Sequence, residues 1–534
     1  MICCARSIRE FRVESLGFRV ESSGMSELEK LHNEETTDTS YDHVLKYTGV
    51  FGGVQGLKML TSFIRNKLTS EFLGKFGVGL ISVYGSISEF LVSASNMGVP
   101  LNATQRSGEL FEIGTNEEIE HFVMVVRTWV LWTALFALLL CLCASPFLSY
   151  FFFEHRWDRF GEVLLMVPVS ACFLLAEGEC AILKGLRQVR KVAFIEGAVA
   201  VFTLLLTVPF YYYMGVKGVA IGLICSSLAS LITHGFFSFR LISYKISPFS
   251  KKVFFEGLPM IKKGIPYVLA GISTAGLGMI IPAMILQPGN GTMDDVGLYR
   301  VGWTMTAGYA GMMFVALEAD YFPRLSSVNQ DTERMNQTIN QQIDVCLHVL
   351  TPLLILFLLF LPELIGLLFT DSFMGALGMC ICACFYTFFK SMSLPLGYST
   401  LAKGDSMVYL AIEIASNLVF AILIWCLYNA YGLVGVGIAF SVGALYDAIV
   451  NLLVCGFRYK VKVFRGTWMR FVFQLVCLSF TFVLCVTPSL ELKYFFGGIA
   501  FVVSLSFSLF HLSKRSDFLH NVLHHFTHSS GDCC

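Results

Sequence analysis

The sequence predicts an all-α polytopic membrane protein of about 14 transmembrane helices, arranged as two pseudo-symmetric six-helix bundles followed by two extra C-terminal helices. Three observations carry that expectation. Of 534 residues, 55% are hydrophobic and only 14% are charged, with a mean hydropathy of +0.67, whereas a soluble domain needs charge at about a quarter of its positions to coat its surface. Apolar segments near the ~20 residues that carry a helix across ~30 Å of hydrocarbon recur along the chain. Finally, short motifs repeat at offsets of 217 and 218 residues.

The first 43 residues are a polar tail with a tandem repeat, Phe11-Arg12-Val13-Glu14-Ser15 and then Phe18-Arg19-Val20-Glu21-Ser22, which is too short for a coiled coil. Met25 opens an acidic, Thr-rich leader, so residues 1–24 read as an upstream start or a disordered arm. The tail lacks a short apolar core with a small-residue cleavage site, so no cleavable signal peptide is expected. Fourteen spans follow, at 46–66, 76–98, 122–148, 161–184, 193–214, 217–239, 264–286, 296–320, 343–369, 374–398, 406–429, 432–455, 468–488 and 493–512. The ten-residue alternation of a membrane barrel is absent.

The stretch Gly215-Val216-Lys217-Gly218-Val219-Ala220-Ile221 matches Gly432-Leu433-Val434-Gly435-Val436-Gly437-Ile438 at an offset of 217, and Val78-Gly79-Leu80 matches Val296-Gly297-Leu298 at 218. A duplicated six-span unit follows, with the first bundle at 44–240, a basic linker at 241–263, the second bundle at 264–457, the extra pair at 458–512 and a His-rich tail at 513–534. Six is even, so both halves share one orientation about an axis along the membrane normal. With the amino terminus inside, and with cations at span ends such as Lys184, Lys217, Arg470 and Lys493 counted with the adjoining loops, the cytoplasmic loops and carboxy-terminal tail hold 21 lysines and arginines and the outer loops hold 6. The positive-inside rule therefore places both termini in the cytoplasm.

A charge at the bilayer centre costs about 2.5–3.5 kcal/mol on insertion scales, so polar residues within spans mark function. Span one carries Gln55, Lys58, Ser62 and Arg65 on one face, and span two carries Ser82, Ser86, Glu89, Ser93 and Asn96. Span eight offers Arg300, Thr304, Gly311 and Glu318; span ten offers Tyr386, Lys390, Ser393 and Gly397; spans eleven and twelve add Glu413 with Asn417 and Asp447 with Asn451. Such stripes line a watered cavity. Lys58, Arg65, Arg300 and Lys390 are the candidate substrate-binding cations, and Gln55, Ser62, Ser86 and Thr304 the candidate polar wall. Glu89, Glu318, Glu413 and Asp447 are the candidate ion-coupling carboxylates. Buried pairing with Glu89, Glu318 or Asp447, or snorkelling, is the structural alternative for the cations. Glu177, Glu179 and Glu196 read as interfacial carboxylates, and His234 and His348 as helix-packing groups.

No cofactor or metal is expected. Thirteen of the 17 cysteines lie in apolar runs, and Cys380, Cys382 and Cys384 point in separate directions on a helix. His520, His524, His525 and His528 have helical spacing but sit in a solvated tail. The balance of 38 basic and 38 acidic residues gives no footprint for nucleic acid. No GxxxxGK[ST], CxxC, HExxH or metal-binding Asp-x-Asp occurs, so a secondary transporter is expected rather than an enzyme. A drug or cation antiporter, a membrane scaffold and an embedded lipid-modifying enzyme are the other classes.

The segments Phe51-Gly52-Gly53-Val54-Gln55-Gly56 with Ile64-Arg65-Asn66-Lys67, then Gly77-Val78-Gly79-Leu80, Ala181-Ile182-Leu183-Lys184-Gly185-Leu186-Arg187 and Asp320-Tyr321-Phe322-Pro323-Arg324-Leu325-Ser326 form a series of short motifs. Together they resemble segments of the O-antigen flippases of the multidrug/oligosaccharidyl-lipid/polysaccharide exporter superfamily. The likeness runs from about residue 45 to 510, and its short, mostly structural motifs identify the fold better than the cargo. It implies an undecaprenyl-pyrophosphate-linked oligosaccharide as substrate, moved to the outer leaflet of a bacterial inner membrane through a cationic lumen. Apart from the resemblance, the carboxylates within the spans are expected to couple the return step to a proton or sodium gradient or to the membrane potential. Arg65 falls at the matching part of span one, Arg300 lies about a turn from a cation of related lipid flippases, and Glu179 stands where glutamine is expected.

Overall fold

The computed structural model describes residues 41–153, 160–248, 250–487 and 490–513, and every regular element among them is helical. Ten helical stretches are long and apolar enough to cross a membrane. Three of these are double crossings: Gly53–Ser95, Arg190–Leu241 and Ser406–Tyr459 hold 43, 52 and 54 residues. At 1.5 Å per residue, such a length exceeds the hydrocarbon thickness about twofold. The chain is a multi-pass membrane protein.

Helix α1 (Tyr41–Ser95) bends at Gly74 and so supplies spans one and two. A 15-residue helix unforeseen by hydropathy, α2 (Val99–Ile113), then lies between spans. Asn102, Gln105, Arg106 and Glu109 interrupt it, so no apolar run announces it. Next come α3 (Asn116–Phe152), the short α4 (Phe160–Leu164), α5 (Met166–Gly185), α6 (Val189–Met214) and α7 (Gly218–Leu241). A capping box opens α3: Thr115 Oγ1 accepts from the Glu118 amide at 3.3 Å while Glu118 accepts from the Thr115 amide at 2.8 Å.

In the second half, α8 (Lys251–Ile285) leads to a broken span made of α9 (Met293–Trp303), a π turn over Thr304–Gly308 and α10 (Tyr309–Ser327). Thr387 in the neighbouring span donates to the Thr306 carbonyl inside that turn at 2.9 Å, satisfying backbone that the ladder frees. The ninth span was expected as one helix to residue 369. It divides instead into α11 (Thr332–Leu359) and α12 (Leu361–Leu368), because Pro362 starts the second piece and cannot donate to the ladder. The last helices are α13 (Leu377–Ala402), α14 (Ser406–Tyr459), α15 (Arg465–Val486) and α16 (Leu490–Ser513).

Two backbone features fall at the repeat offset read from the sequence. Gly215, at φ 56° and ψ −137°, and Gly432, at φ 59° and ψ −140°, take the same turn, which a side chain would strain. Gly79 in α1 and Gly297 in α9 face each other, each so close that a Cβ would run into the carbonyl of Met293 or Lys75. Repeat-related glycines thus meet where the two halves touch.

The extra helices dock through polar groups. Arg470 in α15 donates twice to Asp344 in α11, at 2.8 and 2.7 Å. Asn336 and Asn340, one turn apart on α11, hydrogen-bond the backbone at 460, 462 and 464, which precedes α15.

One buried ion pair organises the first half. Arg127 in α3 and Glu179 in α5 are 3% and 6% exposed, with Nε to Oε1 at 3.0 Å. Arg127 also donates to the carbonyls of Ile242 and Ser243 just past α7, at 3.2 and 2.8 Å, and Ser238 joins both partners. Glu179 is therefore not the interfacial carboxylate that its place near a span end suggested: three helices converge on it. Removing either partner leaves an uncompensated buried charge, so Arg127→Ala or Glu179→Ala is expected to destabilise by about 3–5 kcal/mol. The apolar pair Arg127→Met with Glu179→Leu is expected to retain most stability. Thermal unfolding in detergent separates these outcomes; equal losses in single and double variants would contradict a paired role.

Candidate functional site

A cavity of about 790 Å³ opens between α1, α5, α6, α7 and the broken span α9–α10. Both crossings of α1 contribute. Ser62, Arg65, Asn66 and Thr69 come from the first, at helical spacing, and Gly85, Ser88, Glu89 and Val92 from the second. Arg300, Trp303 and Thr304 enter from α9 and the start of the π turn. Asn66 donates to the Tyr309 hydroxyl at 3.0 Å, tying span one to span eight across the wall.

The cavity carries both signs of charge. Arg65, Lys184 and Arg300 line it, as do Glu89, Glu177 and Glu196. Arg65 interacts electrostatically with the Tyr211 and Tyr309 phenols and with the like charge of Arg300. Neither arginine forms an ion pair among the described residues. Two neighbouring guanidiniums without a carboxylate between them present ten N–H donors to an anion.

The expected site residues divide among several places. Arg65, Arg300, Ser62, Thr304 and Glu89 come together here. Lys58 turns to Glu196 in α6, its ammonium 2.9 Å from Oε2. Gln55, half-buried one turn earlier, is not on the wall. Ser86 is also off it, its hydroxyl donating to the Val83 carbonyl at 3.0 Å. The face of span two that lines the cavity runs through 81, 85, 88, 89 and 92, about 100° from the serine stripe and sharing only Glu89 with it. The Glu318 side chain lies outside the described residues.

Lys390 does not join the other cations. It lies in the second half, 2.8 Å from Asp447 Oδ2, beneath the Tyr386 ring. Asp447 also accepts from Ser416 at 2.9 Å and from Asn451 at 3.1 Å, and Glu413 is within electrostatic reach of Lys390. This second cluster joins α13 to α14, with Asn417 reaching Ser273 and Thr274 of α8.

Other wall residues were not foreseen as such. Lys184 was counted with the loop after span four, and Glu177 and Glu196 were read as interfacial. His234, read as a packing group, sits beside Glu196 and Cys180. All four lie on α5, α6 and α7 and line the cavity. The i, i+4 spacing of Cys180 and Lys184 was the available signal.

The family profile described as polysaccharide biosynthesis protein matches residues 75–377. Among solved structures, the fold is similar to the lipid II flippase MurJ in an inward closed conformation, at TM-score 0.63 and 14% identity over 86% of this chain and 99% of that one. It is similar to an inward-facing multidrug resistance MATE family transporter of the MOP superfamily, at TM-score 0.59 and 13% identity over 80% and 99%. It also resembles a MOP superfamily transporter from Pyrococcus furiosus, described by the reverse polarity of its binding pocket, at TM-score 0.56 and 14% identity over 80% and 94%. At such identities these likenesses establish the fold alone. A comparison with curated proteins by sequence returned no match.

Asp447→Asn leaves Lys390 without its counter-charge and is expected to cost about 3 kcal/mol, while adding Lys390→Met restores much of that loss. Monodispersity after heating, read by size-exclusion chromatography, checks the order wild type, double variant, single variant. A double variant weaker than Asp447→Asn alone would contradict the pairing.

Proposed function

The chain belongs to the polysaccharide biosynthesis protein family, and from that premise we propose that it is a flippase for lipid-linked oligosaccharide. The cargo is an undecaprenyl-pyrophosphate-linked repeat unit of O-antigen or capsular type, moved from the cytoplasmic to the periplasmic leaflet of a bacterial inner membrane. Both chain termini are cytoplasmic in this reading, in keeping with the lysine and arginine asymmetry of the loops.

The observation that carries the proposal is the pair Arg65 and Arg300, on one cavity wall and without carboxylate partners among the described residues. A pyrophosphate supplies the oxygen acceptors such a pair lacks, through charge-assisted bonds of about 1.5–3 kcal/mol each. Ser62, Thr304 and the hydrated volume receive the first sugars, while the polyprenyl tail stays in lipid. The two halves rock about the glycine contact in alternating access. Lys58 and Lys390 act at one remove, through the carboxylates they hold.

Return of the empty carrier is coupled through carboxylates to a proton, a sodium ion or the membrane potential. Glu89, on the cavity wall, is the first candidate; Glu413 and Asp447 belong to the second cluster, and Glu318 completes the set. The carboxylates Glu89 and Glu177 favour the second reading, an antiporter of organic cations built on the same fold.

Reconstitution in liposomes distinguishes the two. A fluorescent undecaprenyl-pyrophosphate oligosaccharide is expected to flip with the wild-type protein, scored by protection from an external quencher. Arg65→Ala and Arg300→Ala are each expected to slow flipping about 10- to 100-fold, corresponding to one lost charge-assisted contact. Arg65→Lys is expected to recover part of the loss. Unchanged flipping in the double alanine variant would remove the clamp, and Glu89-dependent uptake of an organic cation without flipping would replace the proposal by the antiporter.

A further inference from the structure

At the end of the cavity near the turn joining α5 to α6, three side chains of different chemistry converge. Cys180 from α5, Glu196 from α6 and His234 from α7 place one donor atom each within 4.8 Å of one another. We propose that these residues form a binding site for a thiophilic divalent cation of the Zn²⁺ class, independent of what the cavity transports.

The histidine tautomer supports this assignment. His234 Nδ1 lies 2.9 Å from the Ser230 carbonyl oxygen, which only accepts, so Nδ1 carries the proton and Nε2 is left with its lone pair. That nitrogen is buried in a residue 5% exposed, has no hydrogen-bond partner, and faces Glu196 Oε1 at 3.9 Å. In the neutral ring two acceptors thus face each other, an arrangement that a cation between them relieves. The separation is too long for a hydrogen bond, yet close to the ~3.3–3.6 Å between ligand atoms of a tetrahedral zinc with bonds of 2.0–2.3 Å.

The surroundings fit ligands of this kind. The Ser230 carbonyl fixes the ring as outer-sphere partners of metal-bound histidines do, and Lys58 holds Glu196 through Oε2, leaving Oε1 free to ligate. Lys184 stands one turn after Cys180 on the same helix face. Zinc binding forms an S–Zn bond and releases the thiol proton to solvent. Side-chain rotation of about 1 Å draws the three atoms to bonding distance. All three ligands line the cavity, so a fourth position faces it. A metal there would pin α5, α6 and α7 together at one end of the cavity.

The test uses the purified full-length protein titrated with Co²⁺, then with Zn²⁺ against a chromophoric chelator. One equivalent of Co²⁺ is expected to give a thiolate-to-metal charge-transfer band, lost in Cys180→Ser. The apparent Zn²⁺ affinity of this site is expected to fall about 100-fold or more in His234→Gln and in Glu196→Gln. The terminal cysteines and tail histidines are present in every sample, so the difference between wild type and variants isolates this site. Each variant is accepted on a wild-type unfolding profile without metal, and any one that folds decides the matter. A charge-transfer band that persists in Cys180→Ser, or Zn²⁺ affinity unchanged in folded His234→Gln or Glu196→Gln, would overturn the proposal. Flipping activity does not enter either readout.

Discussion

Every charge drawn into the bilayer must be paired, hydrated or lost, and this chain's architecture follows from how it meets that constraint. A single ionised group at the centre of a span costs about 2.5–3.5 kcal/mol on insertion scales. Three pairs answer it inside the spans: Arg127 with Glu179, Lys58 with Glu196, and Lys390 with Asp447. A fourth, Arg470 with Asp344, fastens the extra helices to α11. Each pair joins different helices, so charge neutralisation and helix packing are one event. Against this background Arg65, Arg300 and Glu89 stand out, since they are charges placed on the wall of a cavity rather than against a partner.

The duplication survives in the backbone more clearly than in the chemistry. Gly215 and Gly432 keep the same turn, and Gly79 and Gly297 still meet. The polar content has diverged: the first half shares its open cavity with α9, while the equivalent depth of the second half is filled by Lys390, Asp447 and Glu413 around Tyr386 and Phe440. Small residues conserve the close approach that a rocking interface needs, leaving side chains elsewhere free to specialise.

The number and order of spans were legible because hydropathy over ~20 residues reports the hydrocarbon thickness directly. Helical spacing also identified the faces of Arg65, Ser62 and Thr304. What spacing could not supply was partner choice, which depends on how helices rotate against each other. Lys58 reaches Glu196, 138 positions away, and Lys390 reaches Asp447, 57 away. Ser86 missed the cavity by a rotation of about 100°, one residue along the helix. Arg127 belongs to no polar stripe, since Val123, Met124, Val130 and Leu131 occupy the positions three and four away on its own helix, and Asp344 and Arg470 lie near span ends, where a charge normally signals water. The Pro362 break and the π turn at Thr304–Gly308 alter backbone without changing hydropathy.

The central claim is that the two arginines read a pyrophosphate rather than the polyprenyl chain. Native mass spectrometry of the purified protein with equimolar undecaprenyl pyrophosphate and undecaprenol addresses it directly, comparing wild type with the Arg65→Ala, Arg300→Ala double variant. The account predicts that the wild type retains the pyrophosphate lipid preferentially and that the double variant loses this preference, leaving undecaprenol binding unchanged. Equal preference in both proteins would show that the anion is recognised elsewhere and would contradict the account.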